Sequence, residues 1–214
     1  MSTNHAVTPP TPTAPSSAIA TLRRATWPSH QRLEKRLDVK ARFSNRHAYR
    51  DHLEKMWGFC AALERQVAPE LFTEVLPDYP SRRKLPFLTA DLLALGKDLD
   101  SIDTLAHCVD LPACPDTASA FGCVYILEGA TLGGRTLLPL VESRLGITAQ
   151  TGASFLASYG ENVTSMWRAF GVALDAWCVD QERTASAARA AVETFDALEI
   201  WLCGAPSISA LRRS

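Results

Sequence analysis

The sequence predicts an all-α protein built as a single domain. Three observations carry that prediction. Apolar residues recur at helical spacing from Ser17 to Leu202, sustained apolar/polar alternation is absent, and cap-type residues punctuate the chain at helix-length intervals. The 214 residues, 47% of them hydrophobic, suffice for one core. A net charge of −1 gives no overall basic character, so no nucleic-acid partner is expected. No apolar run reaches the roughly 18 residues of a membrane-spanning helix, and no membrane partner is expected either.

Residues 1–16 are rich in Pro, Thr, Ser and Ala and hold four of the 13 prolines, a composition expected of a flexible tail. Residues 206–214 form the expected C-terminal tail, leaving 17–205 as the folded domain. From Ser17, Ile19, Leu22, Leu33 and Leu37 fall near one stripe, with Glu34, Lys35 and Arg36 on its wet side. Pro28 interrupts this pattern. Either the helix kinks there, or Thr26 caps a fresh start with Pro28 in its first turn.

A second helix is expected from about Ser44 to Val67, with Leu53, Met56, Trp57, Cys60 and Leu63 at helical spacing. Pro69 to Pro86 reads as turns and carries the basic run Arg82-Arg83-Lys84. That run suits a solvated loop or a docking patch for an acidic protein. Thr89 is expected to cap a short helix that Gly96 ends. The longest helix should start at Asp116 or Thr117 and stop at Gly146. Two more are expected at about Gly152–Ser158 and Asn162–Asp180, broken at Tyr159-Gly160. A final helix should run from Arg183 to Leu202, ending at Gly204.

The longest helix contains an anomaly. Four of the 11 glycines (Gly122, Gly129, Gly133, Gly134) crowd into its middle, and each interior glycine costs on the order of 1 kcal/mol relative to alanine. At about 100° per residue, Gly122, Gly129 and Gly133 share one face. Such a face serves close helix packing, or clears a path for something flat; spacing leaves both readings open. A phosphate loop is a poor reading, because the glycines follow no strand and no Gly-Lys-Ser/Thr follows them.

His30 is the second feature. Arg23, Thr26, Glu34 and Leu37 all lie on its side of a continuous helix. A neutral imidazole can ligate iron through one nitrogen while the other donates to a carboxylate, which fixes the tautomer and raises basicity. Glu34 one turn later suits that role, although the same pair also serves simply to stabilise a helix. His47, His52 and His107 lack this context. The late aromatics Phe155, Tyr159, Trp167, Phe170, Trp177, Phe195 and Trp201 suit an apolar pocket and a plain core equally well. The six cysteines contain no Cys-x-x-Cys pair, and residues 1–20 lack a secretory pattern. Reduced thiols in a cytoplasmic protein are expected, without a zinc site.

Together these pieces resemble heme oxygenase. Leu22-Arg-Arg-Ala-Thr26-x-x-x-His30-x-x-x-Glu34 resembles that family's proximal-ligand helix. Leu127-Glu-Gly129-Ala-Thr-Leu-Gly133-Gly134-Arg resembles its glycine-rich distal helix, in the form seen in bacterial members associated with bacteriophytochromes. Tyr159-Gly160 and Met166-Trp167-Arg168-Ala-Phe170 resemble those members too. The resemblance runs from Ser17 to Gly204.

The resemblance implies heme held between a proximal and a glycine-rich distal helix. His30 would ligate the iron, with Glu34 as its partner. Gly129, Gly133 and Gly134 would bring backbone against the distal face, and Arg23 and Tyr125 match positions that contact the propionates. The reaction implied is oxidative opening of heme to biliverdin, carbon monoxide and ferrous iron. It uses dioxygen and electrons from a ferredoxin or reductase, and a bacteriophytochrome is an implied biliverdin acceptor. The iron chemistry is the cofactor's own; the protein steers bound oxygen to a meso carbon. The mammalian-type enzyme carries an Asp just after its first distal glycine, and here that position is Ala130. The proton route then falls to water, backbone carbonyls or Thr131. Ala130 also keeps open a heme carrier or sensor that does not degrade heme. Two remoter readings are another enzyme on a related helical scaffold and an interaction module whose glycines serve packing alone.

Overall fold

A computed structural model describes residues 17–205, and the expected tails 1–16 and 206–214 lie outside the described residues. Helix α1 (Ala18–Arg36) begins where the Ser17 hydroxyl accepts the Ala20 amide. It runs through Pro28 without interruption. Thr26 does not cap a second start, because its hydroxyl donates to the Leu22 carbonyl at 2.8 Å, inside the helix. Pro28 lies on the exposed side, where water can take the carbonyl left without an amide partner. The opposite face buries Leu22, Thr26 and Ser29.

A short α2 (Val39–Arg42) leads into α3 (Arg46–Gln66), which Asn45 caps. The expected turn region holds a 3-10 turn, Pro69–Phe72, and α4 (Tyr79–Arg82). Helix α5 (Leu85–Ala94) starts earlier than expected, with Pro86 in its first turn. Thr89 sits mid-helix and accepts a hydrogen bond from the Trp57 indole at 3.0 Å. Gly96, at φ +91°, follows the end of α5. Helix α6 (Leu99–Asp103) follows, and no sequence signal had marked it.

Helix α7 (Thr117–Leu145) has the expected bounds. Asp116 and Ser119 form a reciprocal cap at its start, and Gly146 closes it in the left-handed conformation. Next come α8 (Ser154–Ala157), α9 (Val163–Trp177) and α10 (Gln181–Cys203). No strand occurs among the described residues.

Helix α10 organises the domain. Both α1 and α7 pack along it, with few direct contacts to each other. The α7 contact is close because Gly122 lacks a side chain: a Cβ there would run into the Ala187 carbonyl and come within 2.9 Å of the Ala190 Cβ. The α1 contact is polar at its rim. Ser29 donates to Asp196 at 2.7 Å, and Arg36 pairs with the buried Glu199 at 2.7 Å. Arg32 reaches both acids. Asp91 on α5 accepts the amides of Ser154 and Phe155, which fixes α8 against α5.

Candidate functional site

His30 stands exposed on α1. Its Nδ1 lies 3.5 Å from a Glu34 carboxylate oxygen, so Nε2 points away from that partner. Two aromatic rings bracket the imidazole. Trp27, itself exposed, stacks almost parallel to it at 5.9 Å and 8°, and Phe195 of α10 meets it edge-on at 5.6 Å. The imidazole plane is thus held by its own helix and by the helix beneath.

The four glycines of α7 divide into two pairs. Gly122 packs on α10 as described. Gly134 packs on α8, where a Cβ would lie 2.5 Å from the Leu156 carbonyl oxygen. Its bare side is filled by protein, so the expectation that Gly134 joins a ligand face is corrected. A Cβ at Gly129 would meet only the Trp167 ring, at 4.0 Å, and one at Gly133 would meet nothing within 4 Å. These two form an open strip of backbone. Thr131 is corrected as well. It lies about 200° around the helix from Gly129, is buried, and its hydroxyl donates to the Glu128 carbonyl at 2.6 Å.

Tyr125 joins the two walls. Its hydroxyl neighbours the Thr26 side chain and the charge of Arg23, while burial raises its pKa. Its ring packs against Trp167 at 5.4 Å. Thr26 is one turn before His30, and Tyr125 is one turn before Gly129, so His30 and Gly129 each stand about 6 Å along their helices from that contact. Arg23, Tyr125, His30 and Gly129 therefore belong to one region, to which Gly133 adds a further turn.

Behind α7 the basic run does something neither sequence reading anticipated. Arg82 and Lys84 are buried, and both pair with the buried Glu128, at 2.6 and 3.0 Å. The Tyr159 hydroxyl donates to the same carboxylate at 2.6 Å. Arg83 pairs with Glu64 at 2.9 Å. Burial lowers the Lys84 pKa against the opposing pull of Glu128. A buried carboxylate that binds two cations and a phenol is fixed in place, and Glu128 immediately precedes Gly129. The run is neither a solvated loop nor a docking patch, since two of its three charges face inward.

Comparison with known proteins shows the family. The family model for heme oxygenase matches residues 16–202. The chain belongs to the heme oxygenase family.

Heme oxygenase PigA of Pseudomonas aeruginosa is 27% identical over 167 residues, 78% of this chain and 82% of that protein. A heme oxygenase of Xanthomonas campestris is 30% identical over 145 residues, 66% of this chain and 78% of its own. In fold, the heme oxygenase of Neisseria meningitidis superposes with a TM-score of 0.73 at 21% identity, over 90% of this chain and 95% of that one. The all-α reading and the family reading both stand, and with the family comes enzymatic degradation of heme.

The residues present fit the macrocycle a heme oxygenase must hold. An exposed imidazole with a carboxylate 3.5 Å from one of its nitrogens suits an axial ligand. A helix face without side chains admits a flat ring, and Arg23 beside the Tyr125 hydroxyl suits an anionic edge. Sequence reasoning missed the bracketing of His30 by Trp27 and Phe195. Trp27 at i−3 was a readable signal, whereas Phe195 lies 165 residues away and gave none. The Glu128 cluster was missed for the same reason: its partners lie 44 and 46 residues distant in sequence.

Proposed function

We propose that this chain opens heme oxidatively to biliverdin, carbon monoxide and ferrous iron, using dioxygen and electrons from a ferredoxin or a reductase. The observation that carries the reading is the open backbone at Gly129 and Gly133, tied through Tyr125 and Thr26 to the helix that presents His30. Heme supplies the iron that activates dioxygen and the meso carbon that is oxidised.

The chain's own residues bind and orient. His30 would offer Nε2 to the iron, with its Nδ1 facing the Glu34 carboxylate at 3.5 Å and the rings of Trp27 and Phe195 on either side of the imidazole. Gly129 and Gly133 let backbone crowd the distal face. Arg23 and Tyr125 take the propionates. Ala130 carries no acid, and Thr131 spends its proton on the Glu128 carbonyl. Proton delivery thus falls to water along the backbone carbonyls of the open strip. The form of the glycine run favours a bacteriophytochrome as biliverdin acceptor, with the cytoplasm as the compartment. Among the described residues, no helix is long and apolar enough to cross a membrane.

The test is an absorption time course of the purified chain with one equivalent of hemin, then reductant in air. The Soret band should form, then decay as a red biliverdin band rises. A Soret band that forms and persists would mean a heme carrier, and its absence would overturn the heme reading altogether. His30→Ala should lose the histidine-ligated ferric spectrum; an unchanged spectrum removes His30 from the ligand role.

A further inference from the structure

Arg82 does more than pair with Glu128. Its Nε and Nη2 donate to the two carboxylate oxygens of Asp78, each at 2.8 Å, a forked pair that fixes the guanidinium plane. Its Nη1 donates twice, to Glu128 at 2.6 Å and to the Met166 carbonyl at 3.2 Å. A carbonyl inside a helix keeps a second lone pair for such a donor. One buried nitrogen is therefore shared between α7 and α9.

Both acceptors sit beside the open strip. Glu128 immediately precedes Gly129, and Met166 immediately precedes Trp167. Gly129 and Trp167 in turn face each other, with the indole ring 4.0 Å from where a Cβ on Gly129 would stand. Tyr125 at 5.4 Å and Phe170 at 6.0 Å pack against that ring. The strip is thus walled at its Gly129 end and unwalled at Gly133, one turn or about 6 Å further along. A flat ring laid on it has room to slide toward Gly133, and Trp167 limits it in the other direction.

We propose that Arg82 is a positioning residue for heme. By holding Glu128 and Met166 on one nitrogen, it sets the distance between the Gly129 backbone and the Trp167 wall. That distance fixes how far along the strip the macrocycle lies, and hence which meso edge it presents there. Arg82 touches neither heme nor the reacting atoms and acts through the two residues that follow its acceptors. Asp78, half-exposed, supports it from the other side. The inference rests on the heme reading given above.

Two variants of the full-length chain test it. Arg82→Lys keeps a cation opposite Glu128, but a single ammonium cannot reproduce the fork that spans Asp78, Glu128 and Met166. Asp78→Asn leaves Arg82 in place and loosens its grip; on a half-exposed residue, it should keep the parent's helical circular dichroism even where Arg82→Lys does not. Hemin titration followed at the Soret band should show Arg82→Lys binding about tenfold more weakly, the scale of one charge-assisted hydrogen bond. Asp78→Asn should shift it in the same direction by less. In a Trp167→Ala background, which has no wall to hold, the Arg82→Lys loss should shrink to within about twofold. The biliverdin made by both single variants should contain a broader mixture of meso isomers than the parent's. Hemin affinity and isomer composition unchanged in both variants would overturn the proposal. So would an Arg82→Lys loss that persists in full without Trp167, because general loosening of the fold needs no wall. A parent chain that forms no Soret band would overturn the heme reading and this inference together, and that failure is read on the parent alone.

Discussion

Alanine substitution at the four α7 glycines should split them into two classes of opposite sign. In an ordinary helix interior, Gly→Ala stabilises by about 1 kcal/mol. At Gly133 nothing lies within 4 Å of the new methyl, and at Gly129 only the Trp167 ring does, at van der Waals distance. Both variants should therefore collect the full gain in the heme-free protein, which for a chain of this size is about 2–4 °C in Tm. At Gly122 the methyl meets the Ala187 carbonyl, with the Ala191 backbone nitrogen at 2.9 Å; at Gly134 it lies 2.5 Å from the Leu156 carbonyl. Backbone cannot swing aside as a flexible side chain can. Overpacking of about 1–3 kcal/mol or more should therefore outweigh the propensity gain and lower Tm. Thermal denaturation by circular dichroism reads the first half of the claim, and hemin titration reads the second. Gly133→Ala should melt higher yet bind hemin more weakly, because the methyl would project from the open strip proposed to face heme. A Gly133→Ala protein that melts lower than the parent, or binds hemin unchanged, would refute the division of the glycines.

Three further outcomes follow from the same structure. Glu128→Gln should cost about 3–5 kcal/mol in urea unfolding, because Arg82 and Lys84 stay buried without their shared counter-charge; a loss under 1 kcal/mol would contradict that picture. His52, buried and with its Nδ1 unpartnered, has its pKa lowered to about 3, first by burial and then by Arg42 and Lys55. The unfolded chain takes up this proton near pH 6.5 and the folded chain does not, so its contribution is whole above pH 6.5. It is lost toward pH 3, at no more than about 1.4 kcal/mol per pH unit. His52→Leu should flatten the fall in Tm between pH 7 and 5, and an unaltered slope would show that His52 is not the group responsible. Arg23→Ala should weaken hemin binding about fivefold at low salt, the scale of an exposed ion pair near 1 kcal/mol. The difference from the parent should shrink as salt rises.

Some of this was legible in the chain and some was not, for identifiable reasons. The bounds of α7 were readable because its signals are local: Asp116 with Ser119 at one end, and a glycine in the left-handed region at the other. Helix α1 was readable in its stripe but not through Pro28, because the partners of Ser29 and Arg32, which follow it, are Asp196 and Glu199 on a helix more than 160 residues away. Angular spacing correctly grouped Gly122, Gly129 and Gly133. It could not show that the neighbour on that face changes from α10 to open space along the helix, nor that Thr131 is committed to a carbonyl. The basic run misled because charges in a proline-rich stretch normally face water. Nothing near them in sequence announces Glu64 or Glu128 as partners.

The placement of α10 bears on how the site comes into being. Helices α1 and α7 meet chiefly through α10, and Phe195, which abuts His30, belongs to α10 itself. During synthesis the glycine-bearing helix and the histidine-bearing helix are both made before their shared support leaves the ribosome. A nascent chain that ends before residue 181 carries His30 and the bare strip but lacks the helix on which both of their helices pack. Contacts across so long a stretch of sequence also form late in folding. The proposed heme site is therefore assembled only once α10 has been made, well after both helices that line it.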